Sequence, residues 1–187
     1  TATHHLTLYR HASGALVFGA GTCQWGWGLD AHHDTDTGVP PERASSDSTR
    51  VSIDLSGPDR NIQQATVNLF ADMGVQPTSL QKGLVAATAS SDNSPPASKI
   101  EFPVEESVLP RGPVVITGTA ADDGGGRVAA VEVSVDNGAR WHPATGRETW
   151  SYEWLPGSSG PVTILSRAVD DSCNLEYPTT GVTVSIE

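Results

Sequence analysis

A chain of 187 residues with 22 acidic and 11 basic side chains carries a net charge of −11. That balance counts against binding nucleic acid or an anionic membrane, since both need a basic surface, and no apolar run reaches the ~18–20 residues of a membrane span. Hydrophobic content of 37% with five Trp is enough for a core, while 19 Gly and 13 Pro favour a turn-rich, strand-rich chain over a helix bundle.

The chain opens directly in strand-like residues, without the pattern of a signal peptide. Residues 4–9 alternate, with Leu6 and Leu8 on one face, and Ser13-Gly14 reads as a turn into a second strand over 15–18. After the glycine-rich stretch 19–28 comes a polar stretch, 31–48, rich in His, Asp and Pro. Ser56 then offers an N-cap, Pro58 a first-turn proline and Asp59 an acid near the positive helix end. Ile62, Ala65, Thr66, Leu69 and Met73 recur at helical spacing, and Gly74 can close the C-terminus. The spacing predicts a helix over about 59–73. A hairpin and one helix expose more apolar surface than they can cover alone. This half therefore either packs on the second half of the chain or is the tail of a larger domain.

Residues 90–98 contain no large apolar side chain and carry Pro95-Pro96, which reads as a linker. It separates an α+β segment, 1–89, from a second half, 99–187, and both are acidic. In the second half, alternating or apolar runs bounded by turn residues fall at 99–103, 113–122, 128–136, 139–142, 149–155, 161–170 and 181–186. Val131, Val133 and Val135 share one face, with Glu132, Ser134 and Asp136 opposite, the period of a strand buried on one side. Asp136-Asn137-Gly138 predicts a tight hairpin turn. About seven strands without a helical period predict an antiparallel β-sandwich. The fold class is thus mainly β: an immunoglobulin-like sandwich at 99–187 preceded by a small α+β segment, one hairpin and one helix.

Two resemblances rest on these residues. The runs 115–122, 131–141 and 166–171 resemble bacterial immunoglobulin-like (E-set) modules and are similar to the dimerisation domain of molybdenum-cofactor sulfite oxidases. That likeness implies a sandwich and a possible homodimer. It brings no molybdenum site, because in that family the cofactor sits in a separate domain. Residues 8–30 with the helix 61–73 resemble the closing segment of a larger domain, in secreted bacterial proteins similar to the large subunit of N,N-dimethylformamidase. Such domains are related to glutamine-amidotransferase-like folds. The resemblance covers about residues 1–82 and implies that the family's catalytic residues lie upstream, so none is carried over.

Cys23, in Gly21-Thr-Cys-Gln-Trp25, superficially resembles a nucleophile elbow. The elbow needs a small residue two places on, where Trp25 stands, and no helical pattern follows. A thiol nucleophile also needs a base; His11, His32 and His33 are possible, but nothing in the sequence orients them. The favoured reading pairs Cys23 with Cys173 in a disulfide that clamps the two halves, because an acidic, Lys-poor chain with an immunoglobulin-like module reads as secreted. Two thiols are the alternative. His4-His5 would point to opposite strand faces, and His32-His33-Asp34 with Asp36 lacks zinc spacing, so it reads as a polar loop. Asp122-Asp123 and Asp170-Asp171, the latter with Asn174 and Glu176, offer oxygens that suit calcium. Neither run fits the twelve-residue calcium loop, and both fall at strand ends where Asp and Asn make turns unaided. No metal or cofactor is therefore expected.

Trp150, Tyr152 and Trp154 share one strand face, either filling the core or forming a platform that stacks on sugar rings. Core packing is favoured. Trp25 and Trp27 are expected to share a face and pack at the junction of the halves. The functional expectation is a non-catalytic accessory region of a secreted multidomain protein, its sandwich a spacer, docking or ligand-binding module. Its partners would be neighbouring domains of the parent. One alternative is part of an extracellular amide hydrolase whose active site is bordered by residues 21–36. Another is a carbohydrate-binding module, with polysaccharide as partner.

Overall fold

The computed structural model describes residues 5–23, 25–30 and 58–187. His4, the loop 31–48 with its His and Asp residues, and the expected cap Ser56 lie outside them. Two compact units divide the chain, Thr1–Ser90 and Ser91–Glu187.

In the first unit, β1 (Thr7–Arg10) and β2 (Leu16–Gly19) form the expected antiparallel hairpin. His11 and Ala15 close it, and Gly14 takes a φ of 86° that an L side chain resists. The glycine-rich stretch forms a 3-10 turn, Trp25–Gly28. Helix α1 runs Arg60–Asp72, within one residue of the expected bounds at either end. Its cap is Asp59, not Ser56: Oδ1 accepts the backbone N–H of Asn61 at 2.7 Å and of Ile62 at 3.2 Å, an exchange worth about 1 kcal/mol. Pro58 thus precedes the cap instead of opening the first turn. At the other end the Val75 N–H reaches Phe70 O and the Gly74 N–H reaches Ala71 O, with Gly74 at φ 75°, a Schellman closure. The helix buries Ala71, yet Phe70 and Met73 remain exposed, as do Leu6, Tyr9 and Val17 of the hairpin.

The second unit is a two-layer sandwich of nine strands. In chain order these are β3 (Ala97–Phe102), β4 (Val108–Leu109), β5 (Val114–Ala121), β6 (Val128–Ser134), β7 (His142–Pro143), β8 (Thr145–Gly146), β9 (Thr149–Trp154), β10 (Gly160–Asp170) and β11 (Val182–Ile186). One sheet has the order β4-β11-β10-β6-β7 and the other β3-β5-β9-β8. Six of the seven expected strands are present near their expected bounds, while the one expected at 139–142 is reduced to β7, which shares only His142 with it. The additions are the two-residue strands β4 and β8, and β4 pairs in parallel with β11, so the sandwich is not wholly antiparallel. Two-residue strands carry too little periodicity to announce themselves.

The core follows from period two. Val114, Ile116 and Ala120 of β5, Val131 and Val133 of β6, Ile164 and Ala168 of β10, and Val184 and Ile186 of β11 all point between the sheets. Burying each of the larger aliphatics contributes about 1.5–3 kcal/mol. The chain after β6 turns at Asn137 and Gly138, both at positive φ, but the expected tight hairpin is a longer loop, since β6 ends at Ser134 and its partner β7 begins only at His142. The segment read as a linker is partly sandwich. Residues 91–98 belong to the second unit, Pro96 is buried and β3 begins at Ala97.

Candidate functional site

The expected disulfide is not formed: Cys23 and Cys173 are both thiols. Cys23 is exposed in the turn before the 3-10 turn of the first unit. Cys173 is half-buried in the second, in the turn after β10, with φ 69°. A bridge needs Cα atoms within about 7 Å, a geometry that counting two cysteines in an acidic chain does not supply. Gln24 and residues 31–36 of the stretch 21–36 lie outside the described residues.

The aromatic row faces inward. Trp150 is 2% exposed and Trp154 8%, while Tyr152 packs against the same core and stacks on His142 with ring centroids 5.8 Å apart. The indole N–H of Trp150 donates to Thr119 O at 3.0 Å, which satisfies its one polar group in the interior. No exposed sugar platform exists on this strand. Trp25 and Trp27 lie in a 3-10 turn of period three, so residues two apart do not share a face. Trp25 packs within the first unit, edge-on to Phe18 at 5.1 Å, with its indole N–H on Thr66 Oγ1 of α1.

The two acid runs come together. β5 ends just before Asp122 and β10 ends on Asp170, so both loops emerge at one end of the sandwich. Between them lies Asp92, which composition alone assigns to a linker. Carboxylate oxygens of Asp92, Asp122 and Asp170 all stand within 4.8 Å of one another. Asp170 is 2% exposed, and its carboxylate organises its own loop by accepting the N–H groups of Ser172 (2.9 Å) and Asn174 (2.7 Å) and the Asn174 amide (2.8 Å). The Asn174 amide also donates to Asp92 O at 3.2 Å, tying the entry segment to the β10–β11 loop. Asp122 Oδ1 accepts the Gly124 N–H at 2.8 Å. Its Oδ2 exposes less than 1 Å² and has no hydrogen-bond partner.

Gly126 lies beside these oxygens. A Cβ there would stand 2.6 Å from Asp92 Oδ2 and 2.7 Å from both Asp122 Oδ2 and Asp171 Oδ1. Asp171 Oδ1 also accepts the Arg127 N–H at 3.0 Å. The other acids of the two runs are elsewhere. Asp123 is exposed, and Glu176 accepts the N–H of Ser98 on both carboxylate oxygens (3.0 and 2.9 Å) and that of Ala168 on Oε2 (2.8 Å). The sequence supplied Asp122, Asp170 and Asp171 but missed Asp92, whose only signal was an acid in a Ser-Asp-Asn-Ser turn just before the first strand.

On the outer side of the five-stranded sheet, Arg167 lies 4.1 Å over the Trp141 ring and pairs with Glu132, its register partner, at 2.6 Å. These contacts tie β10 to β6 and to the loop that enters β7, and satisfy the guanidinium locally.

The family model of the bacterial Ig domain matches residues 96–171. Mitochondrial sulfite oxidase of Mus musculus is 33% identical over 98 residues, covering 46% of this chain and 18% of that protein. The chain thus spans about a fifth of this relative's length. Two solved structures are similar at a TM-score of 0.39. The fibronectin(III)-like modules of Clostridium thermocellum CbhA are 16% identical, with 48% of this chain and 94% of theirs covered. An engineered protein is 18% identical, with 55% and 22% covered. The matched residues make up most of the second unit, whose two-sheet architecture is an immunoglobulin-like β-sandwich.

Proposed function

We propose that this chain is a non-catalytic accessory region of a larger extracellular protein, its sandwich serving as a spacer and docking module for neighbouring domains. The observation that carries this reading is the bacterial Ig match over residues 96–171. The burial of Trp150 and Trp154 supports it by removing the sugar-binding platform. The described residues also include no helix long and apolar enough to cross a membrane. The 33% identity to a sulfite oxidase, together with the likeness of runs 115–122, 131–141 and 166–171 to a dimerisation domain, favours a second role: pairing with another copy of the chain.

Light scattering on the purified chain tests the pairing. A mass twice that of the 19.6 kDa chain is expected, and a monomer at about 100 µM would remove that role. The non-catalytic reading is tested with small amides, N,N-dimethylformamide among them. No turnover is expected. Hydrolysis that disappears on alkylation of Cys23 would overturn the module reading in favour of an amide hydrolase using residues 21–36.

A further inference from the structure

We propose that the end of the sandwich where Asp92, Asp122 and Asp170 converge is a calcium site, with Asp171 as a fourth carboxylate. This goes beyond the module reading and does not depend on it. Three carboxylates from three separate segments repel one another when held this close, and oxygens within 4.8 Å of one another are within the span of a single cation with Ca–O bonds of about 2.3–2.6 Å.

Proximity alone would not make a site, because Asp residues at strand ends often only shape turns. The independent observation is Asp122 Oδ2. A carboxylate oxygen exposing less than 1 Å² with no hydrogen-bond donor bears a desolvation cost that nothing in the protein offsets, and a bound cation would offset it. Its direction is fixed by Gly126, since the point where a side chain would begin lies 2.6–2.7 Å from oxygens of Asp92, Asp122 and Asp171 together. The absence of a Cβ at residue 126 keeps that approach open.

Calcium fits better than magnesium or zinc. The donors are all oxygens, with neither His nor Cys among them. Asp92, Asp122 and Asp171 lie in loops, with Asp170 at the end of β10, so most of the donors can adjust to the irregular shell of six to eight oxygens that calcium accepts, whereas magnesium demands a near-ideal octahedron at about 2.0–2.1 Å. The ion would tie the segment entering β3, the β5–β6 loop and the β10–β11 loop into one rigid end.

Calorimetry of the full chain with CaCl2, paired with thermal melts in calcium and in EDTA, tests this. The expected Kd is about 0.1–1 mM, the range of extracellular calcium modules, with a saturable rise in Tm. Magnesium at the same concentration is expected to give at most a tenth of the affinity. Asp122→Asn keeps the side-chain oxygen that Gly124 needs but removes the charge; it should weaken calcium at least tenfold while melting in EDTA no lower than the parent. Gly126→Ala, which puts a methyl among the same oxygens, should lose calcium as well. No calcium response in the parent chain overturns the proposal, as does a response that survives both substitutions unchanged. An equal response to magnesium overturns the choice of calcium.

Discussion

Trp150 and Gly118 are register partners on β9 and β5, and the absence of a side chain at Gly118 is what lets the indole fill the space between the sheets. A Cβ at Gly118 would overlap the Trp150 ring, with Cε2 at 2.6 Å, and also the Lys99 carbonyl on β3. The strand pairing on both sides prevents either neighbour from moving away. Gly118→Ala is therefore expected to destabilise the sandwich by about 1–3 kcal/mol, the usual cost of overpacking. For a domain of this size that lowers Tm by about 4–8 °C per kcal/mol. Gly157→Ala, where a new Cβ meets nothing within 4 Å, is the control and should stay within about 0.5 kcal/mol. A thermal melt of the two variants beside the parent decides it.

Glu176 joins the two sheets through backbone amides: Ser98 belongs to β3 and Ala168 to β10. Hydrogen bonds to a charged acceptor contribute about 1.5–3 kcal/mol each, and a part-buried N–H left without an acceptor costs a similar amount. Glu176→Ala should cost about 2–4 kcal/mol. Glu176→Gln should cost less, about 1–2 kcal/mol, because one amide oxygen still accepts while the NH2 group faces an N–H donor. Chemical denaturation with unchanged m-values would measure both. Equal stability of all three proteins would mean that water serves these amides as well as the carboxylate does.

Period two made the sandwich legible from the sequence. Val131 and Val133, two of the three valines read as one buried face, are 1% and 0% exposed, but β6 ends before Val135, and Ser134, read on the opposite face, is buried as well because its hydroxyl is held within the turn by Asp136 and Gly138. The candidate site was half legible. Asp122 and Asp170 are visible as acids at strand ends, yet nothing local says that β5 and β10 end side by side in different sheets. That meeting is a property of topology. Asp92 was harder still, because Ser, Asp, Asn and Pro look the same in a tether and in a segment packed on a domain. The expectation that Trp25 and Trp27 share a face fails for a different reason: side chains two apart align in an extended chain, and this stretch winds into a 3-10 turn of period three.

Asp136 gives the hairpin a pH signature. Its carboxylate is held down to about 2, below the ordinary 3.8, first by the Arg140 backbone N–H at 2.8 Å, then by the Ser134 hydroxyl at 2.8 Å, with the Arg140 guanidinium adding to both. A carboxylate whose pKa is lower folded than unfolded binds its proton more weakly in the folded state. Its contribution to stability is therefore complete above about pH 4 and is lost as pH falls toward 2. Asp136→Asn should flatten that part of the profile and leave the neutral-pH dependence untouched. Denaturation midpoints of both proteins between pH 2 and 6 test this, and parallel profiles would show that Asp136 does not titrate within the turn.

The two thiols make the last prediction. Cys23 is exposed in the first unit, while Cys173 is half-buried in the second, in the loop that Asp170 organises through Ser172 and Asn174. Intact mass should therefore be the same before and after reduction. Under native, non-reducing conditions both cysteines should take up iodoacetamide, Cys23 first, since reaction requires access to the sulfur. Cys173 should approach the rate of Cys23 only in denaturant, when its loop opens. A loss of two daltons with neither thiol reactive would instead mean that the units can bring the sulfurs to bonding distance and that the protein matures under oxidising conditions. The Cys173→Ser variant separates a clamp from an incidental oxidation. If a bridge forms and clamps the units, the variant should melt several degrees lower without reductant and match the parent with it; without a bridge the two proteins should melt together in both conditions.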